Sequence, residues 1–244
     1  MAQRPPSAAV LVLHGGHENG TEPPPPGLLN LPGVRMRPFV RALTRATRAP
    51  EDGREVLVRQ VRYVHRGWNG SRADALRDAL AALDALGEEA GELPVVLLGH
   101  SMGARAALRA AGHPLVRGVV GLAPWCPPGD PVTQLAGRDV VLVHSSRDRV
   151  TSPQATQSLT TRARRAGART CMVTVRGGDH AMIRRAAAWH RLTTTLVTGL
   201  LGTGGLPGPV TAALGLPPTA EPTEGTLDLD RLRAERGAGL LPSS

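Results

Sequence analysis

The chain contains no lysine, and all 29 of its basic side chains are arginine. Aromatic residues are almost as scarce: Phe39, Tyr63 and three Trp in 244 residues. A hydrophobic core must therefore be assembled from Val, Leu and Ala. Single-stranded nucleic acid is gripped by stacked aromatic side chains beside basic ones. Here the arginines are scattered and the aromatics too few, so a nucleic-acid partner is not expected. Two cysteines, Cys126 and Cys171, make no disulfide framework and have no zinc-ligand spacing. The first apolar run, Ala8 to Leu13, is too short for a leader and ends in His14-Gly15-Gly16. The one long charge-poor stretch, 192–220, is broken by Gly199, Gly202, Gly204, Gly205, Pro207 and Pro209. It is not expected to span a bilayer. These absences point to a soluble cytoplasmic protein with no membrane partner. The formal charge of +9 belongs to a chain rich in Ala, Arg, Gly and Pro, the composition of a GC-rich coding sequence. No feature sets an oligomeric state.

Short β-rich apolar runs alternate with helical patterns. Strands are expected near 8–13, 55–63, 94–99, 117–123, 139–144 and 170–175. Helices are expected near 36–48, 72–90, 102–112, 153–166 and 180–198. Continuous runs such as Val140-Val141-Leu142-Val143 suit strands buried on both faces, as in a parallel sheet. Two helix starts carry capping signals: Ser71 ahead of Arg72 and Asp74, and Ser152 ahead of Pro153. The alternation predicts an α/β fold, a three-layer αβα sandwich around a doubly wound, mostly parallel sheet of about six strands. Residues 1–198 would form this domain. From 199 to 244 the Gly/Pro-rich composition reads as a flexible tail, with one short helix near 228–235.

Gly99-His100-Ser101-Met102-Gly103 lies between an apolar strand run and an Ala-rich helical one. A serine at such a strand-to-helix turn is held in a strained backbone with its hydroxyl outward. The strand ends then supply, in order, His14-Gly15-Gly16, Ser101, Trp125, Asp148 and His180. Parallel α/β sheets place their chemistry at those ends. Ser101 is the candidate nucleophile, His180 the base and Asp148 the residue that orients the base. Taken singly, His180 also suits a surface helix start, and Asp148 a turn. Asp179 adjoins His180 too tightly to face it, Asp139 opens its strand at the wrong end, and Asp130 is a remote alternative acid. His14 and His17 resemble a metal pair, but no third ligand completes it, and His14 suits a brace for its loop.

The chain resembles the α/β-hydrolase family over residues 8 to about 198. Four segments carry the likeness: Leu13-His14-Gly15-Gly16, Gly99-His100-Ser101-Met102-Gly103, His144-Ser145-Ser146-Arg147-Asp148-Arg149-Val150, and Gly178-Asp179-His180. It is most similar to the small lidless enzymes of the dienelactone hydrolase and short esterase branches. It departs in Ala104, where many relatives have a third Gly, and in lacking the early antiparallel edge. The resemblance implies a serine hydrolase acting on a small-molecule carboxylic ester or thioester through an acyl-enzyme, without metal or organic cofactor. Its oxyanion hole would be the backbone N–H groups of Met102 and Gly16, with His17 as fallback. The same triad serves amide, lactone or acyl-transfer chemistry, and a non-catalytic binding protein on this scaffold is the alternative of another class. Trp68, Trp125, Cys126 and His17 are the expected substrate contacts, a packing role being equally open for the two Trp. Arg66 is a weaker candidate for an anionic substrate. His100 reads as packing within the turn, and His65, His113, His144 and His190 receive no role.

Overall fold

The computed structural model describes residues 6–48 and 55–232. Seven strands form one sheet: β1 (Ala8–Leu13), β2 (Val56–Gln60), β3 (Val95–His100), β4 (Val116–Leu122), β5 (Asp139–Ser145), β6 (Arg169–Val175) and β7 (Thr226–Asp228). Their spatial order is 2-1-3-4-5-6-7, and every neighbouring pair is parallel. Six α-helices connect them: α1 (Leu31–Ala46), α2 (Asp74–Ala90), α3 (Met102–Ala110), α4 (Pro153–Arg165), α5 (Ala186–Leu200) and α6 (Gly208–Leu214). The expected αβα sandwich is present.

The alternation within each strand explains the layers. Ala9, Leu11 and Leu13 of β1 join Val95, Leu97, Val140 and Leu142 in a cluster with α2, α3 and α4. Val10, Val12, Val96, Leu98, Val141 and Val143 face a second cluster with α1, α5 and α6. Successive strand side chains point to opposite faces, so uninterrupted Val/Leu runs feed both cores. Phe39 and Trp189, both buried, are the large side chains of the second core.

The strand order places the site. The chain leaves β1 toward β2 on one side and returns to β3 on the other. A crevice therefore opens outside the carboxyl ends of β1 and β3, where their connections diverge. Gly15 and Gly16 follow β1, and Ser101 follows β3.

Three expectations need correction. The sheet has seven strands rather than six, because the segment read as a tail folds. Val210, Ala213 and Leu214 of α6, then Leu229 and Leu232, are buried against the second core. β7 extends the sheet beside β6 through Met172, Val173 and Thr174. Leu229 to Leu232 begin the expected short helix, whose remainder lies outside the described residues. Ser71 does not cap α2. Gly70–Arg72 form a 3₁₀ turn and α2 begins at Asp74, whose carboxylate accepts from Asn69 and Arg72. Finally, α5 starts at Ala186 rather than 180, because Asp179 accepts the N–H groups of Ile183 and Arg184 and holds 180–185 as a loop. Ser152, by contrast, caps α4 as expected, accepting from the Ala155 N–H. No described helix is long and apolar enough to cross a membrane.

Candidate active site

Ser101 sits between β3 and α3 with φ 54° and ψ −118°, a backbone that L residues rarely adopt. Close approach on both sides enforces it. A Cβ at Gly99 would fall 2.4 Å from the Gly103 carbonyl oxygen, and one at Gly103 would fall 2.4 Å from the Leu13 carbonyl oxygen. Glycine at these two positions lets α3 descend directly against β3 and the end of β1.

His180 Nε2 lies 3.1 Å from Ser101 Oγ, and His180 Nδ1 lies 2.8 Å from Asp148 Oδ2. A carboxylate can only accept, so Nδ1 carries the ring proton and Nε2 is left to accept from the serine hydroxyl. The three side chains come from the ends of β3, β5 and the loop after β6. Gly177, at φ 68°, turns that last loop back over the sheet.

Asp148 is fully buried and accepts five hydrogen bonds. The N–H groups of Val150 and Thr151 bind Oδ1 at 2.8 and 3.0 Å. The Thr151 hydroxyl, His144 Nε2 and His180 Nδ1 bind Oδ2 at 3.0, 3.1 and 2.8 Å. Burial pushes the carboxyl up, but the bonds from His144, His180 and the backbone outweigh it and hold it far below the usual carboxylate range. His144 is completely buried, and its Nδ1 lies 2.7 Å from Thr156 Oγ1. With Nε2 facing a carboxylate, Nδ1 accepts the Thr156 proton, which fixes the tautomer. His144 thus has a definite contact that the sequence reading did not assign. Its only signal was the four-residue spacing to Asp148 across a strand end.

His100 is more than packing. Its Nε2 donates to the His180 carbonyl oxygen at 2.9 Å, and its ring lies 4.9 Å from the His180 ring. Burial, then the neighbouring His180, pushes its pKa down to about 3. The ring is therefore neutral, and its buried Nδ1 has no partner among the described residues.

The loops after β1 and β2 are zipped together. His17 N donates to Arg66 O, Gly67 N to Gly20 O, Trp68 N to His17 O and Asn69 N to Glu18 O. This pairing presses Gly16 against Met102, where a Cβ would meet Met102 Cε at 2.3 Å. A Cβ at Gly15 would lie 3.4 Å from Ser101 Cβ. Met102 opens α3, so its N–H has no intrahelical acceptor. The Gly16 N–H has no backbone acceptor among the described residues. The fallback donor is corrected: the His17 N–H is 3.0 Å from the Arg66 carbonyl oxygen and already engaged. His14 is buried behind this turn, with Nδ1 2.6 Å from the Gly15 carbonyl oxygen and its own carbonyl accepting from Tyr63. Burial keeps His14 neutral by lowering its pKa, against a smaller upward pull from that bond.

A cavity of about 650 Å³ beside the triad is lined by Glu18, Trp68, Arg105, Trp125, Cys126, Val150 and Thr151, among others. Arg105 lies over both indoles, 3.9 Å from Trp68 and 4.4 Å from Trp125. It also forms a two-pronged pair with Asp130 at 2.7 and 2.8 Å, which removes Asp130 as a triad acid. Burial pushes the Cys126 thiol up to about 12, so it lines the wall as an unionised group. His17 lines a second cavity, with Gly15 and Gly16. Arg66 pairs with Glu22 at 3.1 Å. Among the described residues, no three His, Cys, Asp or Glu side chains converge as a metal site.

A family model described as serine aminopeptidase, S33, matches residues 62–141. Many solved structures share the architecture. One is a putative α/β-hydrolase of unknown function from Agrobacterium tumefaciens, 16% identical with a TM-score of 0.59, matched over 86% of this chain and 93% of that one. The fold is that of the α/β-hydrolases. A Xanthomonas campestris α/β serine hydrolase without a lid is 18% identical, with a TM-score of 0.52 over 78% of this chain and 80% of its own. Est1E from Butyrivibrio proteoclasticus is 12% identical, with a TM-score of 0.55 over 82% and 90%. No curated protein matches the sequence.

Proposed function

We propose that this protein is a cytoplasmic serine hydrolase that cleaves small-molecule carboxylic esters or thioesters. The observation that carries this reading is the continuous array Asp148–His180–Ser101, at 2.8 and 3.1 Å, beside two backbone N–H groups that have no acceptor among the described residues. Ser101 Oγ attacks the substrate carbonyl carbon as His180 Nε2 takes its proton. The carbonyl oxygen becomes an oxyanion held by the N–H groups of Met102 and Gly16. His180 then returns the proton to the leaving alcohol or thiol, and an acyl-Ser101 ester remains. Water, deprotonated by His180, attacks that ester and releases the acid. Asp148 holds the ring tautomer and stabilises the imidazolium without itself taking the proton. The two cysteines, buried and unpaired, accord with a reducing compartment.

The aminopeptidase description of the matching family model favours a second reading, amide cleavage by the same triad. Glu18, in the wall of the larger cavity, would then receive a substrate ammonium.

The test is turnover of short p-nitrophenyl esters, and of an aminoacyl p-nitroanilide, by wild type and Ser101→Ala, with fluorophosphonate labelling in parallel. Ester turnover is expected to fall by about 10⁴-fold or more in Ser101→Ala, and labelling at Ser101 to vanish. Faster anilide than ester turnover would favour the amide reading. A folded protein showing neither turnover nor labelling would refute the hydrolase reading and favour a binding protein.

A further inference from the structure

The two cavities beside Ser101 differ in charge. The 650 Å³ cavity has Arg105 in its wall, but Asp130 neutralises that cation, and Glu18 adds a carboxylate. The other, of about 310 Å³, lies between the Gly15–His17 turn, Pro24 and Pro25, and the first turn of α1. Its wall is largely apolar, with Leu29, Leu31 and Pro32, and none of its lining residues is Asp or Glu. Two arginines complete it, Arg35 and Arg66. Glu22 occupies Arg66. Arg35 is half-buried yet makes no hydrogen bond or ion pair with any described residue. Its guanidinium, with N–H donors and no acceptor among the described residues, is open to an anionic ligand. Asn30, Leu31 and Pro32 start the 16-residue α1, which has no acidic residue in its first turn. The positive end of that helix adds to the field of Arg35.

Geometry also separates the roles of the two cavities. A leaving group must reach His180 to collect its proton. The larger cavity includes Val150 and Thr151, from the loop that carries Asp148, the partner of His180. The smaller one has no residue from the loops that carry Asp148 and His180, but it has both glycines of the oxyanion turn. The leaving group belongs in the larger cavity and the acyl chain in the smaller. A volume of 310 Å³ lies at the low end of small-molecule sites, which limits the acyl chain to a short one.

We propose that the smaller cavity is an acyl subsite for short dicarboxylic monoesters or monothioesters. The aliphatic stem lies on Leu29 and Leu31, and the free carboxylate forms a two-pronged bond with Arg35. This specificity rests on the serine-hydrolase reading.

The test compares mono-p-nitrophenyl adipate with p-nitrophenyl hexanoate, each corrected by Ser101→Ala blanks. Wild type is expected to favour the adipate ester by about tenfold or more in kcat/KM. Arg35→Gln is expected to lower the adipate-to-hexanoate ratio by about 10- to 100-fold, and Arg35→Lys to recover part of it. Added salt should erode the preference in wild type and not in Arg35→Gln. An unchanged ratio in Arg35→Gln, with Ser101-dependent hexanoate hydrolysis intact, overturns the subsite. Calorimetric binding of monomethyl adipate to Ser101→Ala supplies a readout that needs no turnover. Binding abolished by Arg35→Gln upholds the subsite even if no ester is hydrolysed, in which case only the hydrolase reading fails. No binding to the parent and no adipate preference overturn the subsite.

Discussion

Asp148 and the proposed oxyanion turn stand at opposite ends of the proposed catalytic array and are built on opposite plans. The carboxylate is buried and accepts five hydrogen bonds, from two backbone N–H groups, a hydroxyl and two imidazoles. At the other end, the N–H groups of Gly16 and Met102 have no acceptor among the described residues, beside the strained Ser101. The saturated end carries the same charge before, during and after the proposed reaction. The open end meets a charge only when a carbonyl becomes tetrahedral. Donors already engaged by the protein would have to be released at that moment, so leaving them open is part of the catalysis.

Closing the open end tests this contrast most severely. In Gly16→Ala the new methyl would meet Met102 Cε at 2.3 Å and the backbone oxygen of Arg66 at 2.5 Å. The methionine can swing away but the carbonyl is fixed by the zipped loops, so the turn must shift. A loss of about 10²–10³-fold in kcat is expected, with KM changed far less, read from ester kinetics on protein of unchanged circular dichroism.

Thinning the saturated end should do less. His144→Leu removes one donor of five from Asp148 and deprives the Thr156 hydroxyl of its 2.7 Å partner. A fall of about tenfold in kcat is expected, and His144→Gln, which keeps an N–H near the Nε2 position, should recover most of it. Equal losses in both variants would mean that His144 only fills space.

A third effect is on stability. Folding holds His100 neutral, its pKa lowered from 6.5 to about 3 chiefly by burial. Between those values the unfolded chain binds a proton that the folded chain refuses. Stability from this group is therefore complete above pH 6.5 and falls as the pH drops toward 3, by at most about 1.4 kcal/mol per pH unit. His14, lowered in the same direction, adds to it. Urea midpoints measured from pH 7 to pH 4 should decline less steeply in His100→Gln.

The sheet and the triad geometry were legible because both rest on local pattern. A strand buried on both faces shows as a run such as Val140 to Val143, and the chemistry follows at strand ends that can be walked in order. Features made by side-chain contacts that no sequence pattern marks were not legible. His144 bears on Asp148 only through the turn between them, and Arg35 faces the oxyanion turn only because α1 begins at Leu31 rather than near 36. β7 has three residues and no hydrophobic run. The same short segment placed the domain boundary too early. Trp68 and Trp125 were anticipated as substrate contacts, but the arginine between them was not, since a cation over two indoles has no signature in sequence.

β7 has a consequence beyond the site. β6 pairs along its whole length with β5 and offers its other side to solvent or to a neighbour. An uncovered row of backbone donors and acceptors is a template on which a second chain can add a strand. Here the protein supplies its own stopper, short enough to recruit nothing further, with ion pairs joining Asp228 to Arg176 and Asp230 to Arg185. Strand addition at that margin of the sheet is thus opposed by residues far from the chemistry, and a version cut at 198 would trade a covered border for an exposed one.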